Sequence, residues 1–275
     1  MPVLSRRVLV AVDGPSGSGK SSVSREVARR AGMSYLDTGA MYRAVCWAAL
    51  RDGIEPTDAE TLGALVRSVV VDVSTDPDVE RVVVDGVDVT TAVRGAAVTA
   101  AVSAVASHPA VREEMRARHR ATMEAAPTGC IAEGRDITTV VAPDAHVRVL
   151  LTADAEARVG RRARQVEQER PDGDAGGASG DVSTAVLDRD AADSRVTSFQ
   201  VAADGVLELD SSDLDLEQTV QAVLDLVLAA RTELEAAWAA VHPEDPVGAA
   251  GTTGQETTVD LTDDDRAAQP VPDQA

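Results

Sequence analysis

The 275-residue chain has no asparagine, one lysine, two cysteines and no apolar run near the roughly 18 residues a membrane span requires. Cys46 and Cys130 stand far apart in apolar contexts (AVCWAA and GCIAEG) without a CxxC pair, which points to buried thiols over a metal or redox centre. The start, MPVLSRRVLVAVDG, lacks the small-residue cleavage site of a signal peptide. A cytoplasmic protein with no membrane partner is therefore expected. Positive charge is scarce too: 26 Lys+Arg against 46 Asp+Glu leave a net charge of −20. This argues against a nucleic-acid partner, because phosphate backbones demand an extended positive face. Any phosphate binding must be local, and the only ammonium group available for it is Lys20.

Against these absences stands a 44% hydrophobic composition, enough to bury a full core in one or two domains. A short β-branched run, Arg7 to Val12, leads into a Gly/Ser-rich loop and then a stretch of helical pattern from Ser21 to Arg30. The loop, Gly14-Pro15-Ser16-Gly17-Ser18-Gly19-Lys20-Ser21 followed by Ser22, matches GxxxxGK[ST]. In that motif backbone N–H groups and a helix N-terminus cradle nucleotide phosphates, Lys20 meets the β and γ oxygens, and Ser21 takes Mg²⁺. With one lysine in the chain, chance would produce the match in about one such sequence in a thousand. Guanine-reading switch proteins need a second motif containing Asn and Lys, which this chain cannot supply. ATP with Mg²⁺ is the expected cofactor.

Further along, Asp37 to Arg51 has helical spacing and Ser68 to Val73 reads as a strand. Asp85-Gly86 between valine runs is a type I′ hairpin signal. Val98 to Met123 reads as helix with a break near Pro109. Gly129 to Ala132, Val147 to Leu151 and Val206 to Leu209 read as strands. Asp154 to Gln168, Ser183 to Arg195 and Asp215 to Ala240 read as helices. Alternating strands and helices favour a parallel sheet covered on both faces, a three-layer α/β sandwich interrupted by an antiparallel hairpin. The composition of Pro171 to Asp181 predicts a mobile loop. From residue 241 the chain is Pro/Gly/Thr/Asp-rich with a net charge of −7, and is expected to be a disordered acidic tail. The expected layout is a core of residues 1–58 and 128–240 with a lid at about 165–195, and an inserted acceptor-binding α+β lobe of 59–127.

The run DGPSGSGKSS, then DTGAMYR (Asp37–Arg43), IAEGRD (Ile131–Asp136) and VAPDA (Val141–Ala145), resembles bacterial cytidylate kinase in order from about Arg7 to about Ala230. The resemblance implies a P-loop nucleoside monophosphate kinase that moves the γ-phosphate of ATP onto CMP or dCMP and works as a monomer. It places Arg43, Arg135 and Arg189 at the acceptor phosphate, with Lys20, Arg135 and Arg189 catalytic. Ser103, Arg112 and Asp136 fall at the base, Asp193 at the ribose, and Thr38 and Tyr42 complete the acceptor site. The chemistry agrees, since an acceptor phosphate brought to ATP needs cations that cannot lose their protons. Cytosine in turn requires both a donor and an acceptor at its pairing edge.

Other readings stand beside these. Each arginine could be a solvated surface charge, Ser103 a small residue in helix packing, and Asp136 the cap of ITTVV. Arg158, Arg161, Arg162 and Arg164 could grip ATP phosphates or form a solvated cationic face. Asp13 and Glu133, at strand ends, could orient magnesium-bound water or be core-edge carboxylates. The second arginine of the family's lid pattern arrives one residue early here. One residue turns a helical side chain by about 100°, which leaves open whether Arg195 reaches the site. Another small-acceptor kinase, for instance for shikimate, or a nucleotide switch would use the same phosphate loop.

Overall fold

The computed structural model describes residues 7–168 and 201–242. The mobile-loop segment Pro171–Asp181, the helix expected over Ser183–Arg195 and the acidic tail from residue 243 lie outside the described residues, as do Arg189, Asp193 and Arg195. Five strands, β1 (Val8–Asp13), β2 (Ser34–Asp37), β6 (Gly129–Gly134), β7 (Val147–Thr152) and β8 (Leu207–Asp210), form one sheet in the order β2-β6-β1-β7-β8. Every pairing in it is parallel. Three short strands, β3 (Val71–Val73), β4 (Val82–Val84) and β5 (Val87–Asp88), make a separate antiparallel sheet.

The central strands are apolar on both faces because helices cover both. Val8, Val10 and Val12 of β1 pack in one cluster with Val23 and Val27 of α1 (Lys20–Ala31) and Val220, Val223 and Val227 of α7 (Leu216–Val241). Ala11 belongs to the opposite cluster with α2 (Thr38–Arg51) and α5 (Pro109–Ala125). That second cluster runs without a break into α3 (Ala59–Ser68), α4 (Ala96–Ser107) and the small sheet, through Leu62, Val82, Val84 and Val102. Helix α6 (Ala155–Gln168) follows β7.

Local signals account for many of these boundaries. Asp37 caps α2 by accepting from Ala40 N at 2.9 Å, and Asp215 and Gln218 form a reciprocal capping box at the start of α7. Pro109 opens α5 at the first helical position, where its missing N–H costs nothing. Asp85 and Gly86 both have positive φ, 49° and 82°, as a type I′ turn demands.

One expectation needs correction. Ser68 is the last residue of α3, and the strand begins only at Val71. The helix runs this far because Leu62 and Val66 bury one face while the Arg118 guanidinium closes its end, donating to the carbonyls of Val66 and Val69 at 2.6 and 3.0 Å. Strand β2 and helix α3 were not anticipated at all, since four residues and ten residues of ordinary propensity carry too little pattern to stand out.

Candidate active site

The parallel register brings three strand ends together. Asp13 of β1 lies opposite Gly134 of β6, and Glu133 lies opposite Asp37 of β2. The phosphate loop, the Gly134-Arg135-Asp136 turn and the start of α2 thus emerge side by side at the carboxyl edge of the sheet, where open parallel sheets bind ligands. A cleft of about 890 Å³ opens there.

The loop wraps the N-terminus of α1. Gly14 admits no side chain, because a Cβ would sit 2.3 Å from the carbonyl oxygen of Leu151. Gly17 has φ 78°, and a Cβ there would meet the Arg158 carbonyl at 2.6 Å. Ser16, Gly17, Lys20, Ser21 and Ser22 line the cleft, whereas Ser18 is turned inward with a buried hydroxyl that has no hydrogen-bond partner among the described residues. Lys20 Nζ donates to the Pro15 carbonyl at 3.4 Å and lies 3.8 Å from a Glu133 carboxylate oxygen. The Ser21 hydroxyl donates to Glu133 Oε1 at 2.6 Å, and the Tyr35 hydroxyl to the same oxygen at 3.3 Å. Burial, and secondarily Asp37, pushes the Glu133 pKa up, while Lys20, Ser21 and Arg135 pull the other way. Glu133 is therefore aimed at the phosphate loop.

Asp13 is used differently. Its carboxylate accepts from Ile137 N and Thr138 N at 2.8 Å each and from the Thr138 hydroxyl at 2.6 Å, all inside the core. These bonds cap the π-helical turn Ile137–Val141, and the Asp13 pKa is raised, chiefly by burial. The alternative reading of Asp136 as a cap does not hold: its side chain makes no capping bond and pairs with Arg112 of α5. Asp13 holds those N–H groups because β1 ends directly beside them, which leaves Asp136 facing the cleft.

Around the rest of the cleft stand Thr38, Tyr42, Arg43, Ser103, Arg112, Arg135 and Asp136. Arg135 Nη1 donates to the Gly14 carbonyl at 2.9 Å, tying the turn to the phosphate loop. The Thr38 hydroxyl is committed to the Glu133 carbonyl at 2.7 Å, a tie between α2 and β6. Arg43 Nη1 donates to the Val93 carbonyl and to the Thr99 hydroxyl, both at 3.0 Å. Burial raises the Asp136 pKa, with Arg112 opposing it. The Tyr42 phenol is pushed up to about 12, first by burial and then by Asp136.

Of the α6 arginines, Arg158 Nη1 donates to the Ser16 carbonyl at 3.2 Å. Arg161 reaches the Ser18 carbonyl at 3.3 Å and Ser211 at 2.6 and 2.9 Å. Both buttress the loop through its backbone. The side chains of Arg162 and Arg164 lie outside the described residues.

Several residues at the site escaped sequence reasoning. Glu80 from the segment before β4, Arg94 from the 3-10 turn Ala92–Arg94 and Thr99 from the start of α4 also line the cleft. His119, on the inward face of α5 behind Tyr42, is fully buried, and neither ring nitrogen is hydrogen-bonded among the described residues. Its ring meets Tyr42 edge-on at 5.5 Å, and burial lowers its pKa to about 3. The helical spacing Arg112-Met115-His119 was the available signal for the last of these, since it puts His119 on the inward face with Met115.

Comparison with known proteins adds the following. A sequence profile for cytidylate kinase matches residues 10–229. The chain is similar to the cytidylate kinase of Streptomyces avermitilis, 43% identical over 221 residues covering 80% of this chain and 92% of that protein. It is also similar to the cytidylate kinase of Mycolicibacterium paratuberculosis, 45% identical over 82% of this chain and 96% of the relative. That of Cutibacterium acnes is 46% identical over 80% and 96%.

Proposed function

Because the chain belongs to the cytidylate kinase family, it is an ATP-dependent kinase of CMP and dCMP, and we propose that it works through the cleft between its phosphate loop and the Arg112–Asp136 pair. The observation that carries the assignment of roles is this juxtaposition. Lys20 and the loop line the same cleft as a carboxylate paired with an arginine. In this reading residues 59–127 form the acceptor lobe on a core of 1–58 and 128–240. The protein acts as a cytoplasmic monomer, and among the described residues no helix is long and apolar enough to cross a membrane.

Cytosine offers an amino group and two ring acceptors. Asp136 accepts from the amine, while Arg112 and Ser103 donate to the ring. Arg43 and Arg135 hold the acceptor phosphate, and Arg189 and Asp193 complete the site as catalytic and ribose-binding groups. Lys20 and the loop N–H groups hold the ATP phosphates, so the transfer depends on positioning and charge stabilisation more than on covalent help. The adjoining oxygen donors Ser21 Oγ and Glu133 suit a hard divalent cation, with Ser21 as ligand and Glu133 orienting its water. Ser21 would hold magnesium brought with ATP, which would supply positive charge against the phosphates.

The test is ADP release with ATP against CMP, dCMP, UMP, AMP, GMP and shikimate. Stimulation by CMP and dCMP well above the others is expected. Slow ADP formation that no acceptor accelerates would instead indicate a nucleotide switch.

A further inference from the structure

We propose that Thr99 is a positioning residue for the acceptor phosphate: its hydroxyl holds the Arg43 guanidinium in the orientation that grips a phosphate monoester dianion. This rests on the assignment of Arg43 to that phosphate and goes on to say how the arginine is aimed.

The hydrogen-bond inventory carries the argument. Arg43 Nη1 has two hydrogens, and both have acceptors on the acceptor side of the cleft, the Val93 carbonyl and Thr99 Oγ1 at 3.0 Å each. Thr99 sits in the first turn of α4, with its backbone N–H on the Gly95 carbonyl at 3.0 Å. Its hydroxyl also reaches the Arg94 carbonyl at 3.4 Å. The hydroxyl hydrogen thus has an acceptor, and a lone pair is left for Arg43.

The bond to Thr99, added to the one to Val93, restricts rotation of the guanidinium plane. With both Nη1 hydrogens so directed, the Nε–Nη2 edge takes a defined orientation, and that forked edge suits bidentate recognition of a phosphate. Arg43, Val93 and Thr99 all line the cleft, so the brace stands where the acceptor enters. An arginine already ordered loses less rotamer freedom on binding, and that saving appears in acceptor affinity.

The experiment compares Thr99→Val, Thr99→Ser, Arg43→Ala and the Thr99→Val/Arg43→Ala double variant in full-length enzyme. Steady-state kinetics are measured with CMP and with ATP, and Tm alongside. Losing one hydrogen bond to a charged group should raise the KM for CMP about five-fold in Thr99→Val. The KM for ATP should stay within about two-fold and Tm within about 2 °C. Thr99→Ser should restore the CMP value, and Thr99→Val should add nothing once Arg43 is gone. If Arg43→Ala raises the KM for CMP but Thr99→Val does not, the brace is wrong and the Arg43 assignment survives. If Arg43→Ala leaves it unchanged, that assignment fails and the inference with it. A Thr99→Val enzyme with a lowered Tm and equal losses for both substrates would show ordinary helix stabilisation and overturn the proposal.

Discussion

Replacing Asp13 with alanine separates two roles that a carboxylate at the end of β1 could have. In the structure its oxygens serve Ile137 N, Thr138 N and the Thr138 hydroxyl, and the side chain is 2% exposed. Removing it orphans three buried donors, each worth about 1–3 kcal/mol when left unpaired. The Thr138 hydroxyl can turn toward another acceptor. Removal also relieves the cost of a buried carboxylate, seen in its raised pKa. The two backbone N–H groups are left to dominate, and a net loss of about 3 kcal/mol is expected. Urea unfolding followed by circular dichroism measures this directly.

The affected turn begins next to Arg135 and Asp136, so the KM for CMP should rise while the KM for ATP changes less. Asp13→Asn keeps one acceptor oxygen but presents an amide N–H₂ to the remaining donors, and should fall between alanine and wild type. The reasoning would be refuted by an Asp13→Ala enzyme within about 0.5 kcal/mol of wild-type stability whose turnover had collapsed. That pattern belongs to a residue acting on the phosphates.

Lys20→Ala should lose phosphoryl transfer by at least about a thousand-fold while unfolding at nearly the wild-type urea concentration, and near-normal turnover would rule out the loop assignment. Asp136→Asn should cut the preference for CMP over UMP by at least about ten-fold, read as the ratio of kcat/KM values, because the amide can donate to the uracil carbonyl. An unchanged ratio would move base recognition elsewhere. For His119 the folded-state pKa of about 3 lies below the ordinary 6.5. The unfolded chain therefore takes up a proton as pH falls through 6.5, the folded chain does not until about 3, and stability is lost across that window. Between pH 6.5 and 5 the loss from this group amounts to about 1.6 kcal/mol. His119→Gln should flatten the acid limb of the stability profile by that amount, and an unchanged profile would mean the imidazole titrates normally.

Legibility in the sequence followed the range of the interaction. The phosphate loop, the Asp85-Gly86 turn, the break at Pro109 and the capped start of α7 all close within a few residues, so their chemistry is written locally. Asp136 illustrates the limit. From the sequence Asp136 could face the base, cap ITTVV or do both, and only the arrival of Asp13 at the Ile137 N–H, 124 residues along the chain, gives the cap to another carboxylate while Asp136 pairs with Arg112. Arg161 was read as a grip on ATP phosphates or a solvated charge. In the fold it holds the backbone of Ser18 and Ser211, because β8 and the loop end beside each other.

By itself the sequence set the phosphate-loop pattern, a lone ammonium at the end of a Gly/Ser loop between strand and helix, and so the expectation that Lys20 meets a nucleotide phosphate. Its ordered motifs also carried the family. Which carboxylate caps the turn and which lines the cleft, which arginines hold the loop backbone, and which hydroxyl accepts from Arg43 were decided by tertiary structure alone. The reason is physical: a buried donor takes whichever acceptor the strand register brings within about 3 Å, and that register is set by packing across the whole sheet.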